Sequence, residues 1–122
     1  MKKVNLKHKR RQSGKTYKLI GKMMKHISKD NNPVYITVNN SNADIVAKRI
    51  SELLPMDLSS SIAPIKAWDE AVNLLTKVII LDDFEFYSKS SLKAIMKYAK
   101  NNKIKVIGYS TTREQDKKCL EL

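Results

Sequence analysis

Residues Val78-Ile79-Ile80-Leu81-Asp82-Asp83 place four consecutive apolar side chains directly before two carboxylates. Successive side chains of a strand point to opposite faces, so an unbroken apolar run is buried on both. That is the condition of an interior strand in a parallel sheet covered by helices. It also gives the acids a position, because ligands of open parallel sheets sit beyond the carboxyl ends of the strands.

The rest of the chain supplies partners for that strand, which is predicted over 77–82. Val34-Tyr35-Ile36-Thr37-Val38 is β-branched and aromatic and reads as a second buried strand. The segment 104–110 reads as a third, and Val4 and Leu6, alternating with polar residues, give a short one over 4–8. Ile62 to Lys66 allows a further short strand. Between them, Leu19, Ile20, Met23, Met24 and Ile27 recur at helical spacing after Gly14, and Asp30-Asn31-Asn32-Pro33 ends that helix. A second helix, capped by Ser41 or Asn42 and stopped by Pro55, presents Ile45, Val46, Ile50, Leu53 and Leu54. A third is expected from about Ala67 to Thr76, carrying Trp68, Val72 and Leu75. A fourth follows Ser88 with Leu92, Ile95, Met96 and Ala99 inward. Alternating strands and helices predict a three-layer α/β domain, its mainly parallel central sheet flanked by helices through right-handed crossovers. At 122 residues the chain fits one domain, with a basic segment at 1–12 and a short polar tail at 114–122.

The formal charge is +12, and it is unevenly placed. From Met1 to Lys29 there are eleven Lys or Arg and no acid. Lys18, Lys22, Lys25 and Lys29 line the polar face of the first helix, and Lys89, Lys93, Lys97 and Lys100 that of the fourth. Such a field attracts polyanions, nucleic acid above all, with DNA ahead of RNA; a merely solvated face is the plain alternative for each stripe. No apolar run has the length of a membrane span, and Met1-Lys2-Lys3 does not open a signal peptide. No membrane partner and a cytoplasmic location are therefore expected. The single Cys119 has no partner for an internal disulfide.

Ahead of the first helix stands Lys9-Arg10-Arg11-Gln12-Ser13-Gly14-Lys15-Thr16. Gly-Lys-Thr opening a helix is the second half of a P-loop, in which backbone N–H groups hold phosphates and the Thr hydroxyl reaches magnesium. The first glycine of that pattern is Lys9 here. With Asp82 and Asp83 downstream, the pair of motifs reads as a phosphate site: the first acid orients magnesium and the second can polarise an attacking water. Ser110 and Thr111, at the tip of the 104–110 strand, are small hydroxyl residues that could hydrogen-bond the γ-phosphate or the water.

In this order the signals resemble the ATPase domain of phage terminase large subunits, the DNA-packaging motors, and more broadly the additional-strand, RecA-like P-loop ATPases. Arg11-Gln12-Ser13-Gly14-Lys15-Thr16 is similar to the terminase Walker A, Val78 to Asp83 with Phe84-Glu85-Phe86-Tyr87 to its Walker B, and Ser110-Thr111-Thr112 to its coupling motif. The resemblance covers roughly residues 4–113. It implies ATP as substrate and Mg2+ as cofactor, with Gln12, Ser13, Gly14, Lys15 and Thr16 on the nucleotide and Thr16 and Asp82 on the metal. It implies Arg11 as an arginine finger in cis, Asp83 as the catalytic acid where the family carries Glu, and Ser110 and Thr111 as coupling or sensor residues. The strand order implied is P-loop strand, fourth strand, Walker B strand, second strand. A nuclease domain, an adenine-binding segment before Lys9 and a strand after Arg113 are missing from this pattern, so a minimal core is expected, acting as a homo-oligomer or within a larger motor complex.

Leu81-Asp82-Asp83-Phe84-Glu85-Phe86 is also similar to the Walker B of replication initiators and helicase loaders, where a double Asp is common. The expected function is an ATP-hydrolysing nucleic-acid-handling protein of the packaging or helicase-like class. The alternatives are a non-hydrolysing nucleic-acid-binding regulatory module, supported by Lys9 and Asp83, a helicase-loader or initiator-like fragment, and a small-molecule kinase, for which no lid or acceptor site is recognisable.

Overall fold

The computed structural model describes residues 4–8 and 15–110. In chain order the elements are β1 (Val4–His8), α1 (Lys15–Ser28), β2 (Val34–Thr37), α2 (Asn40–Leu53), β3 (Ile62–Pro64), the single turn α3 (Trp68–Ala71), β4 (Val78–Asp82), α4 (Lys89–Asn102) and β5 (Lys105–Ser110). The five strands form one all-parallel sheet in the order β1-β5-β4-β2-β3. Its first four strands stand in the order that the resemblance implies. β3 is the extra strand, shorter than Ile62 to Lys66 because a 3-10 turn begins at Ile65.

The direction of travel along the sheet explains the layers. From β1 to β2 to β3 the chain moves one way, and from β3 to β4 to β5 it moves back. Right-handed crossovers then put α1 and α2 on one face and α3 and α4 on the other. The packing follows. Tyr35, Val78, Ile80, Ile107 and Tyr109 meet Leu19, Ile20 and Met23 of α1 and Ala43, Val46 and Ile50 of α2. Val34, Ile36, Ile79, Leu81 and Val106 meet Leu92, Ile95 and Ala99 of α4, with Trp68 at the margin. Every residue of β4 is buried, as its apolar run requires.

Three expectations are corrected. The third helix is one turn, not Ala67 to Thr76. The Asn73 side chain accepts from the Leu75 N–H at 2.7 Å and the Asn73 N–H donates to Thr76 Oγ1 at 3.0 Å. These local bonds compete with the helical ones, and Leu75 is left exposed. In α2 the inward face is Ala43, Val46 and Ile50, with Leu54 half-buried, while Ile45 and Leu53 are exposed. The helix also starts earlier: Asn39 is the cap, its side chain accepting from the Asn42 N–H at 2.9 Å. In α1, Lys18, Lys25 and Lys29 are exposed as expected, but Lys22 is half-buried.

Helix ends are made without glycine. Asp30 is left-handed, and the Asn31 and Asp30 N–H groups close on His26 and Ile27 carbonyls, each at 3.0 Å. Lys103 does the same for α4, where the Ile104 N–H reaches the Ala99 carbonyl at 2.8 Å.

Candidate functional site

β2 and β4 are neighbours whose following helices leave to opposite faces, so the sheet has a topological switch point between their carboxyl ends. Asp82 is the last residue of β4. By alternation it shares a face with Val78 and Ile80, the face covered by α1. It is a carboxylate only 5% exposed, a burial that requires hydrogen-bond partners.

Those partners come from two other elements. The Tyr35 hydroxyl of β2 donates to Asp82 Oδ2 at 2.7 Å, and the Thr16 hydroxyl of α1 donates to the same oxygen at 3.1 Å. Tyr35 is opposite Ile80 in the ladder, two residues short of Asp82 on the same face, so its ring spans that diagonal and ends at the carboxylate. Burial, and then the Asp82 charge beside it, hold the Tyr35 phenol well above its ordinary pKa of 10.0. It is therefore a neutral donor at any working pH.

The backbone of Asp82 is fixed from the opposite layer. Tyr87 directs its hydroxyl to the Asp82 carbonyl at 2.6 Å and lies 3.0 Å from the Ile36 carbonyl, bridging the ends of β4 and β2 where their ladder stops. Burial first, then Asp82 and Asp83, raise this phenol well above 10.0 as well. Tyr87 stands in the motif stretch Phe84–Tyr87 and Tyr35 in the second predicted strand, but the sequence gives neither a role of its own. The available signal is that a tyrosine within or just after a buried strand needs an acceptor for its hydroxyl.

Asp83 does not continue the strand. Its backbone is left-handed at φ 55°, its N–H donates to the Tyr109 carbonyl at 3.1 Å, and a 3-10 turn over Phe84–Phe86 follows. It stays half-buried at the same end of the sheet. Lys15 is the first residue of α1 and Ser110 the last of β5. Arg11, Gln12, Ser13, Gly14 and Thr111 lie outside the described residues, as do the segments 9–12 and 114–122. The structure thus brings Thr16 and Asp82 together and sets Asp83 beside them.

Thr16 and Asp82 are the residues that could hold a magnesium ion here. Such an ion takes one or two carboxylates and completes its shell with water and phosphate oxygens, and Thr16 and Asp82 offer one hydroxyl and one carboxylate. Among the described residues, no group of three or more His, Cys, Asp or Glu is gathered that would hold a metal on protein ligands alone.

The lysine stripes are not brought together. Lys18 and Lys25 lie on α1, whose apolar face packs on one side of the sheet. Lys89, Lys93 and Lys97 are exposed on α4, which packs on the other. Among the described residues no helix is long and apolar enough to cross a membrane. No family model matches the chain, and no curated protein matches its sequence.

Proposed function

We propose that the chain is an ATP-binding, P-loop-type domain that handles nucleic acid, in the manner of a DNA-packaging or helicase-like ATPase core. The observation that supports this is the 3.1 Å contact between Thr16 and Asp82. These residues are 66 positions apart, and the two halves of the motif assign them to the same magnesium ion. In this reading Gln12 to Thr16 hold the phosphates, with Lys15 on the β- and γ-phosphates, and Thr16 and Asp82 hold the metal. Magnesium, when bound, offsets the charge of the phosphate oxygens. Asp83 accepts the proton of the attacking water, Arg11 meets the charge on the transferred group, and Ser110 and Thr111 sense the γ-phosphate. One stripe contacts DNA phosphates, since a single duplex cannot lie on both faces of the sheet, and that of α4 is favoured because Lys89, Lys93, Lys97 and Lys100 are all exposed while Lys22 of the α1 stripe is half-buried.

The test is magnesium-dependent ATP binding by calorimetry for wild type and Lys15→Ala, with single-turnover hydrolysis followed in the same samples with and without duplex DNA. Wild type is expected to bind and to hydrolyse faster with DNA, and Lys15→Ala to lose both. ATP binding unchanged by Lys15→Ala would refute the phosphate site.

A second reading, a nucleic-acid-binding module that keeps nucleotide but does not turn it over, is favoured by Asp83. This acid is one methylene shorter than glutamate, and its left-handed backbone takes it out of the strand direction. Under that reading wild type binds ATP and shows no hydrolysis with or without DNA.

A further inference from the structure

A single oxygen of Asp82, Oδ2, accepts from the Tyr35 hydroxyl at 2.7 Å and from the Thr16 hydroxyl at 3.1 Å. A carboxylate oxygen has two lone-pair positions, so these two donors fill it. The two donors differ in what else they can do. Thr16 is half-buried in the first turn of α1, and a hydroxyl can give its proton to Oδ2 while a lone pair of its oxygen meets a metal. Tyr35 is wholly buried, in the cluster under α1 and α2, and its raised pKa keeps the phenol a proton donor. The main chain of Asp82 is tied at its carbonyl by the Tyr87 hydroxyl at 2.6 Å, so the carboxylate turns only about its own side-chain bonds. Any such turn breaks the bond to Tyr35.

A filled Oδ2 decides how Asp82 can meet a cation. A metal bound by this carboxylate is met through Oδ1 alone and not through both oxygens. Magnesium is small, holds to octahedral geometry and takes carboxylates one oxygen at a time, whereas calcium takes more oxygens and accepts both from one carboxylate. We propose that Tyr35 sets the metal preference of the site: by filling Oδ2 it keeps Asp82 a one-oxygen ligand and so favours magnesium over calcium. This rests on the reading of Thr16 and Asp82 as metal residues given above. Tyr35 is a positioning residue, acting on the metal through Asp82. Calcium gains the second oxygen only by displacing the phenol, and the hydrogen bond to a charged group that is then lost corresponds to about tenfold to a hundredfold in affinity. A phenol with a purely structural role would stabilise the fold and leave the choice of cation alone.

The test is calorimetric titration of the full chain with ATP in excess magnesium and in excess calcium, for wild type, Tyr35→Phe, Ile95→Val and Lys15→Ala, at a temperature where thermal melts show each to be folded. Wild type is expected to bind magnesium-ATP more tightly than calcium-ATP. Tyr35→Phe should lower that ratio by about tenfold to a hundredfold, chiefly by gaining affinity for calcium-ATP. Ile95 is fully buried in the cluster on the opposite face of the sheet, so Ile95→Val should lower Tm and keep the wild-type ratio. Lys15→Ala should lose ATP with either cation. Equal affinities in wild type, an unchanged ratio in Tyr35→Phe, or the same change of ratio in Ile95→Val overturns the role of Tyr35 while the phosphate site stands. If wild type binds ATP with neither cation, or Lys15→Ala binds it as wild type does, the phosphate-site reading fails and the metal preference with it. A second measurement needs no variant at Tyr35. In infrared difference spectra of wild type carrying isotope-labelled aspartate, the carboxylate stretches that change on binding magnesium-ATP should be those of a one-oxygen ligand, and a two-oxygen pattern overturns the proposal.

Discussion

Replacing Tyr35 with Phe removes one oxygen from the centre of the molecule and leaves the ring in place. The ring belongs to the buried cluster that includes Leu19, Met23, Val46 and Ile80, and Phe fills the same space, so the apolar contribution changes little. What is lost is a 2.7 Å hydrogen bond to a carboxylate that is 5% exposed. A hydrogen bond to a charged group contributes about 1.5–3 kcal/mol, and a buried acceptor deprived of its donor bears the full cost of desolvation. Thr16 still donates to Asp82, at the longer distance of 3.1 Å, so the loss should stay within that range and not exceed it. Against a typical total of about 5–15 kcal/mol it is a large fraction, equivalent to a fall of roughly 5–15 °C in Tm for a domain of this size. The assay is urea unfolding of wild type, Tyr35→Phe, Asp82→Ala and the double variant, with m held as the check that the unfolded state is unchanged. The cycle should show a coupling of about 1–3 kcal/mol between the two positions. A loss below about 0.5 kcal/mol in Tyr35→Phe, or strict additivity in the cycle, would refute the claim that the phenol holds the carboxylate.

Leu19 is fully buried between α1 and the sheet, so Leu19→Ala should lower unfolding free energy by about 2–5 kcal/mol, measured by the same urea titration. The pKa of His26 is held below its ordinary 6.5 by burial and then by Lys105, Lys29, Lys25 and Lys22. The unfolded chain therefore takes up the proton first as pH falls, and the stabilisation from neutral His26 is full above pH 6.5 and declines below it. Melts from about pH 8 to about pH 5 should show that decline, and His26→Gln should flatten it; parallel curves would contradict the assignment. For duplex DNA, alanine at Lys89, Lys93 and Lys97 should reduce the slope of log K against log salt by roughly 0.9 for each phosphate that is no longer neutralised. The same change at Lys18, Lys22 and Lys25 should leave the slope alone, and equal effects from the two triples would refute α4 as the single track.

The layers were legible because their signals are local. The apolar run Val78–Leu81 is short and rich in β-branched residues, which favours a buried strand over a buried helix segment, and the helices α1 and α4 carry their periodicity and end signals within fourteen residues each. Errors arose where a short polar side chain decides the outcome. Asn39 and Asn42 are equally good caps on composition, and only the backbone of Asn39, extended at φ −152°, settles which one accepts from the other. That choice starts α2 earlier, while the exchange of Ile45 for Ala43 in the core is set by which face of the helix meets the sheet. Asn73 likewise turns an apolar stretch into an Asx turn, and no periodicity records it.

The site was legible only in part, because its key contacts are set by register between strands remote in sequence. Thr16 and Asp82 carry motif signals, but Tyr35 becomes a partner of Asp82 only when β2 pairs with β4 in the register that sets Tyr35 opposite Ile80. A slip of one residue would turn the phenol to the α4 face. The strand order matters as much. β5 stands between β1 and β4, so α1, leaving β1, lies across β5 and β4 on its way toward β2. That diagonal carries the start of α1 over the carboxyl end of β4, where Thr16 finds Asp82. A hydroxyl and a carboxylate 66 residues apart are thus joined by the insertion of one strand, with Tyr35 holding the Asp82 carboxylate from one face of the sheet and Tyr87 its backbone carbonyl from the other.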